Sequence, residues 1–251
     1  MKKYLVIALI VLLSLAGSGF LFLRNQRPAE PEGLHEPVGK LIETSLEERP
    51  YVTLTPSSDG HWLTVNVSRI KNASSLDYEL LYNTASGASQ GSISSFNLQG
   101  KTSYSKKILL GSESSGNYKY DKGVTEGSLT IKLRSSQGVR KFVSEFHLQQ
   151  GEKELTSIDG HFSFEGKLGS AFYLTMSTIG LPGEIEGQGL AGPYGIFTSG
   201  NSVVKNATVK LKPSEEKANA KLYSWTGKAW QEEDEATVAT LTTFMVISPE
   251  E

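Results

Sequence analysis

The chain has no cysteine among its 251 residues. That excludes disulfide frameworks, thiolate catalysis, cysteine-bound zinc and the lipid-modified cysteine of a bacterial lipoprotein. No Lys/Arg-rich run follows the first residues, so a nucleic acid would find little charge to neutralise its phosphates. His-Glu-x-x-His and Gly-x-Ser-x-Gly elements are missing, and with them the usual signposts of zinc and serine hydrolases. Of the 4 histidines, His35 and His147 stand alone, while His61 and His161 each follow an Asp-Gly pair. This set predicts no cofactor and no metal.

What is present begins with an apolar run. Residues 4–23, YLVIALIVLLSLAGSGFLFL, carry no charge; as a helix they would span roughly 30 Å, the thickness of a bilayer's hydrocarbon core. Ser14-Leu15-Ala16 would also serve as the cleavage site of a signal peptide. The run continues past that site through Phe20 to Leu23, which favours an uncleaved anchor. Lys2 and Lys3 favour a cytoplasmic N-terminus, although Arg24 and Arg27 on the far side weaken that signal. With those four taken from 25 basic residues, against 27 acidic ones, residues 28–251 are mildly acidic. The sequence therefore predicts a membrane helix over 1–24 and a stalk over 25–49. In the stalk, Thr44-Ser45-Leu46-Glu47 matches a helix capping box that Pro50 soon ends. The rest of the chain is long enough for two domains, placed at 50–150 and 151–251 on the outer side of the membrane.

From Pro50 onward the hydrophobic period is two. Leu63, Val65 and Val67 alternate with Thr64, Asn66 and Ser68; Leu76, Tyr78, Leu80 and Tyr82 share one side, as do Leu129, Ile131 and Leu133. These read as half-buried strands separated by Gly, Ser, Asn and Asp turns, the signature of an antiparallel sandwich. The run LTVNVSRIKNASSLDYELLYNT resembles the second and third strands of a fibronectin type III or immunoglobulin-like domain. That resemblance covers residues 50–150 at the level of fold. It departs from antibody-type domains in having no cysteine pair and in placing Trp62 at the start of the earlier strand, out of phase with Leu63. Residues 151–251 repeat the style, and their end, from Leu222-Tyr223-Ser224-Trp225 through Trp230 to Phe244, resembles the closing strands of sandwich modules in bacterial surface proteins. The predicted fold class is all-β: two tandem antiparallel Ig-like β-sandwiches behind a transmembrane helix.

Two stretches, SSDGHWLTV and SIDGHFSFE, place Asp59-Gly60-His61 and Asp159-Gly160-His161 one hundred residues apart. Asp-Gly supplies the dihedrals of a tight hairpin turn. His61 is in phase with Leu63, Val65 and Val67, whereas His161 is in phase with Ser163 and Glu165, so the rings are expected on opposite kinds of surface. The repeat reads as a duplicated turn. Gly187-Gln188-Gly189-Leu190-Ala191-Gly192 fits G-x-G-x-x-G by letter, but it lacks the strand and helix that a dinucleotide site needs. The glycines and prolines of 180–200 read instead as a long loop carrying Tyr194 and Phe197 as a contact surface. The acidic run Glu232 to Glu235 reads as a solvated turn.

Function is expected to be binding, adhesion or scaffolding in the cell envelope, with a glycan or protein ligand and a membrane contact through the N-terminal helix. Trp62, Tyr194, Phe197, Tyr223, Trp225 and Trp230 are the side chains best able to anchor a contact. The rival class is a carbohydrate-active sandwich enzyme with a carboxylate pair such as Glu79 and Glu145, which would have to face each other in a cleft. A purely structural spacer is the third reading.

Overall fold

The computed structural model describes residues 40–151, 153–234 and 237–249. The apolar run expected to cross the membrane, and the stalk as far as residue 39, lie outside them. No helix of the described residues is long and apolar enough to cross a membrane. They form antiparallel sheets, preceded by one short 3-10 turn at Leu46–Glu48.

The first nine strands are β1 (Tyr51–Pro56), β2 (Trp62–Ser68), β3 (Ser75–Asn83), β4 (Ser89–Asn97), β5 (Tyr104–Leu109), β6 (Gly111–Ser114), β7 (Asn117–Tyr120), β8 (Glu126–Ser135) and β9 (Gly138–Gln150). β1, β2 and β5 make a three-stranded sheet, which faces β4, β3, β8 and β9, adjacent in that order. The alternating residues drive this arrangement. Leu63, Val65 and Val67 point in from one sheet, and Leu76, Leu80, Leu129, Ile131 and Leu133 from the other, all almost without solvent contact. Each such side chain contributes about 1.5–3 kcal/mol by leaving water. β6 and β7 form a separate hairpin.

The second half adds β10 (Glu154–Thr156), β11 (Phe162–Glu165), β12 (Phe172–Ser177), β13 (Gln188–Phe197), β14 (Val203–Leu211), β15 (Lys221–Trp225), β16 (Trp230–Glu233), β17 (Val238–Thr240) and β18 (Thr243–Ser248). β10, β11, β14 and β17 make a four-stranded sheet. The others join the first half, because β12 pairs with β9 through Leu174↔Leu148 and its neighbours. One nine-stranded sheet results, in the order β16-β15-β18-β13-β12-β9-β8-β3-β4. It runs unbroken past the boundary read at residue 150.

The two smaller sheets cover opposite faces of this long one. Leu174 and Met176 of β12 belong to the first core, whereas Tyr173, between them and Phe172, belongs to the second with Tyr194, Ile196, Phe244 and Val246. Successive side chains on a strand point to opposite faces. β12 is therefore covered on both sides. Along β18 the alternates Met245 and Ile247 form a third cluster with Leu181, on which Leu46, Ile185, Tyr223 and Trp230 pack.

Behind β9 the halves are joined by a polar clamp. The buried side-chain amide of Gln149 accepts a hydrogen bond from the Thr156 N–H at 3.1 Å and donates one to the Thr156 carbonyl at 3.3 Å. Thr175 Oγ1 donates to the same carbonyl at 2.6 Å. Residues 40–49, the far end of the segment read as a stalk, lie along the body. The Ile42 N–H donates to the Val139 carbonyl at 2.9 Å and the Val139 N–H to that of Lys40 at 3.0 Å. Ser45 precedes the 3-10 turn and makes no side-chain cap.

Of the glycine-rich stretch read as a loop, residues 180–187 and 198–200 are irregular, but Gln188–Phe197 is strand β13. β13 pairs with β18 with two register shifts, between Gly189 and Ala191 and between Ala191 and Tyr194. A Cβ on Gly189 would fall 2.5 Å from Met245 Cε, and one on Gly195 2.3 Å from Phe197 Cζ. Glycine inside a strand marks bulges and close approaches of this kind.

Candidate functional site

The two Asp-Gly-His turns are built bond for bond alike. In the first, joining β1 to β2, Ser57 Oγ donates to Asp59 Oδ1 at 2.5 Å, the His61 N–H to the same oxygen at 3.1 Å, and the Trp62 N–H to Ser57 Oγ at 3.0 Å. In the second, joining β10 to β11, the corresponding distances are 2.5 Å, 3.0 Å and 3.0 Å for Ser157, His161 and Phe162. The sheets beyond them differ by one residue in phase. Leu63 and Val65 point inward from β2, but Phe162 and Phe164 point inward from β11. Hence the residue after the histidine, Trp62 or Phe162, faces outward in one half and inward in the other.

That difference leaves Trp62 half-buried on the outer face, and a cluster of rings gathers beside it. The β6–β7 hairpin brings Tyr118 and Tyr120, two residues apart on one face of β7, against β2. His61 stacks on Tyr120 with ring centroids 3.9 Å apart and planes 7° from parallel. Tyr118 and Tyr120 lie 6.3 Å apart at 6°. Trp62 meets Tyr118 edge-on at 5.6 Å, and the Lys107 ammonium sits 4.6 Å from the Trp62 ring centroid. Tyr118 is 47% and Tyr120 38% exposed, so three nearly parallel rings stand open at the surface.

The hairpin is fixed at its base. The Leu110 N–H donates to the His61 carbonyl at 2.8 Å and the Asp121 N–H to the Leu110 carbonyl at 3.0 Å, while Tyr82 Oη donates to Asp121 Oδ2 at 2.9 Å. Burial first, and then the neighbouring Asp121 carboxylate, push the Tyr82 phenol well above its ordinary range. At Gly111, with φ of 151°, a Cβ would fall 2.2 Å from the Lys119 carbonyl oxygen. Glycine is needed for the hairpin to leave the sheet at that angle.

Of the six side chains expected to anchor a contact, Trp62 alone lies in this cluster. Tyr194 is buried within β13, its hydroxyl donating to Asp159 Oδ2, and Phe197 packs against the first core. Tyr223 and Trp230 pack on the third cluster. Trp225 and Trp230 are cross-strand partners, set edge to face at 5.6 Å. Together they hold Gly183: Trp230 Nε1 donates to its carbonyl at 3.2 Å, and a Cβ there would fall 2.4 Å from Trp225 Cη2. Tyr118, Tyr120 and Lys107 are members that sequence reasoning missed, and His61 was read only as part of a turn. The signal for them was the Tyr-x-Tyr alternation of NYKY directly after the Ser115-Gly116 turn.

The rival carboxylates are placed apart. Glu79 pairs with Thr130 on β8 and Glu145 with Ser128, so they stand two strands and two residues apart, on the order of 12 Å between Cα atoms. They share one sheet face instead of facing each other across a cleft. Among the described residues no group of three His, Cys, Asp or Glu side chains is placed to hold a metal ion. In the acidic run, Glu232 accepts from Lys221 at 2.9 Å and Glu233 from Ser224 at 2.6 Å. An open groove of about 700 Å³ runs between Leu46, Leu181, Ile185, Leu190, Met245 and Ile247, its apolar wall supplied in part by the third packing cluster. No protein-family model matches this chain, and no curated protein matches it significantly.

Proposed function

We propose that the chain is an extracytoplasmic binding protein, held at the membrane by its N-terminal apolar run, and that it recognises a glycan of the cell envelope. The observation that carries this reading is the open ladder of His61, Tyr120 and Tyr118. A pyranose presents a face of C–H groups that stacks on an aromatic plane, while its hydroxyls seek polar neighbours. Flat amphipathic rings with polar groups at their rim suit such a ligand. Lys107, over Trp62, and Glu113, which pairs with Tyr118 and so shares its face, provide that rim. Lys107 already occupies the face of Trp62, which favours a neutral or acidic sugar over a cationic ligand.

The immunoglobulin-like character of the first half belongs to this proposal. In its support, seven strands divide over two facing sheets, and the chain crosses from one sheet to the other after its second strand, as in constant-type immunoglobulin domains. The test uses the full chain in detergent, retained on immobilised envelope polysaccharides. Retention lost in the Tyr118→Ala/Tyr120→Ala double variant, with unchanged thermal stability, supports the reading. Equal retention of variant and wild type on every polysaccharide overturns it. Protease added outside intact cells tests the orientation and should cleave the body of the protein.

A further inference from the structure

The ends of the sheets differ in how they are guarded. A free strand edge exposes a row of backbone donors and acceptors that invites another strand, and proteins blunt such edges with charge, proline, bulges or short length. β5 carries Lys106 and Lys107. β16 has four residues, including Glu232 and Glu233. β10 has three residues and a glutamate, β17 three residues and a shifted register, and β1 ends in Pro56. β4, at the end of the nine-stranded sheet, has none of these devices. Its nine residues, SQGSISSFN, hold no charge and no proline, and they pair with β3 in unbroken register from Ser75↔Asn97 to Asn83↔Ser89. At its centre Ile93 is 63% exposed.

We propose that β4 is an interaction edge that pairs antiparallel with β4 of a second copy of this chain, joining two nine-stranded sheets into one. Self-pairing about a two-fold axis sets the strand opposite itself, so any charge near its centre would meet its own like. A strand empty of charge meets that requirement. A two-fold axis near Ile93 brings together the two most exposed apolar side chains of the strands, with Leu81 of β3, 42% exposed, beside them over Gly91. A single strand pair covers less than the roughly 1,200–2,000 Å² of a standard stable interface. The association is therefore weak and concentration-dependent. It is independent of the glycan reading, because β4 lies on a different sheet from β2 and β5.

The absence of cysteine from the natural chain makes a trap direct. Ser92→Cys, Ile93→Cys and Ser94→Cys are made singly in the full chain, with Ser170→Cys, exposed in the other half, as the control. Antiparallel partners bring Cα atoms within about 4.5–5.5 Å, inside the range that a disulfide bridges. Under mild copper-phenanthroline oxidation, at least one β4 cysteine should give a disulfide-linked dimer several-fold above the control, and Ser94→Lys added to that variant, or Ser92→Lys where the cysteine stands at 94, should remove it. β4 cysteines that cross-link no better than Ser170→Cys overturn the proposal. So does a dimer that persists with the added lysine, or capture in native membranes of another protein in place of a second copy.

Discussion

Tyr194 on β13 donates its hydroxyl hydrogen to the carboxylate of Asp159, 35 residues away, in the turn between β10 and β11. The bond ties the smaller sheet of the second half to the long sheet beneath it. The first turn places Asp59 in the same local geometry, but Asp59 is exposed and bonds within its own turn.

Burial opposes the charge on Asp159, but hydrogen bonds from Ser157, Tyr194 and the His161 N–H outweigh it and hold its carboxyl below the ordinary carboxylate range. Burial, reinforced by Asp159, raises the Tyr194 phenol well above its usual value. A lowered carboxyl contributes stability above its unfolded pKa of about 4, lost as pH falls through the folded value; a raised phenol contributes below about 10 and is lost as pH rises through its own folded value. Tyr194→Phe should cost about 1–2 kcal/mol at neutral pH and weaken the dependence of stability on acid, measured by urea unfolding between pH 3 and 7. Asp59→Asn, at an exposed carboxyl that the Ser57 hydroxyl and the His61 N–H also hold low, should weaken that dependence less than Tyr194→Phe does.

Gln149→Ala removes both halves of the amide clamp on Thr156 and leaves a buried N–H without that acceptor. A loss of about 1–3 kcal/mol is expected, read as a lower urea midpoint. Gln149→Glu keeps the acceptor but loses the donor and buries a charge, so it should be at least as damaging near neutral pH and recover in part in acid.

Gly183→Ala sets a methyl carbon against the Trp225 ring. Overpacking of this kind costs about 1–3 kcal/mol. The shift should appear in tryptophan fluorescence, because two of the 3 tryptophans in the chain hold that glycine. Gly227→Ala, with no atom within 4 Å of the added carbon but a φ of 92°, should cost stability while leaving the emission of the folded protein unchanged.

Lys107→Met removes the ammonium from the Trp62 face and keeps an unbranched side chain one atom shorter. If the cation holds the indole in place, the change should lower thermal stability by no more than about 1 kcal/mol and alter Trp62 emission, measured in a Trp225→Phe/Trp230→Phe background.

Strands with one wet face were plain in the sequence: β2, β3 and β8 show their buried residues by alternation because solvent takes the other side. β12 and β18 hid theirs. Phe172–Ser177 has four consecutive buried residues and Thr243–Ser248 six, and a strand covered on both faces has no period to read. β13 was obscured differently, since its glycines answer to Met245 and Phe197 from other parts of the fold. At the candidate site, Trp62 was legible as out of phase with its strand. The rings that flank it come from a hairpin fifty residues later, and nothing local to either segment announces their meeting.

β12 serves two masters: Leu174 and Met176 floor one core while Tyr173 roofs the other. The halves of this molecule are thus not beads that a genome could shuffle independently. Severing the chain near residue 150 would strip the first half of part of its floor and bare the edge of β9, so neither half would keep its full core alone.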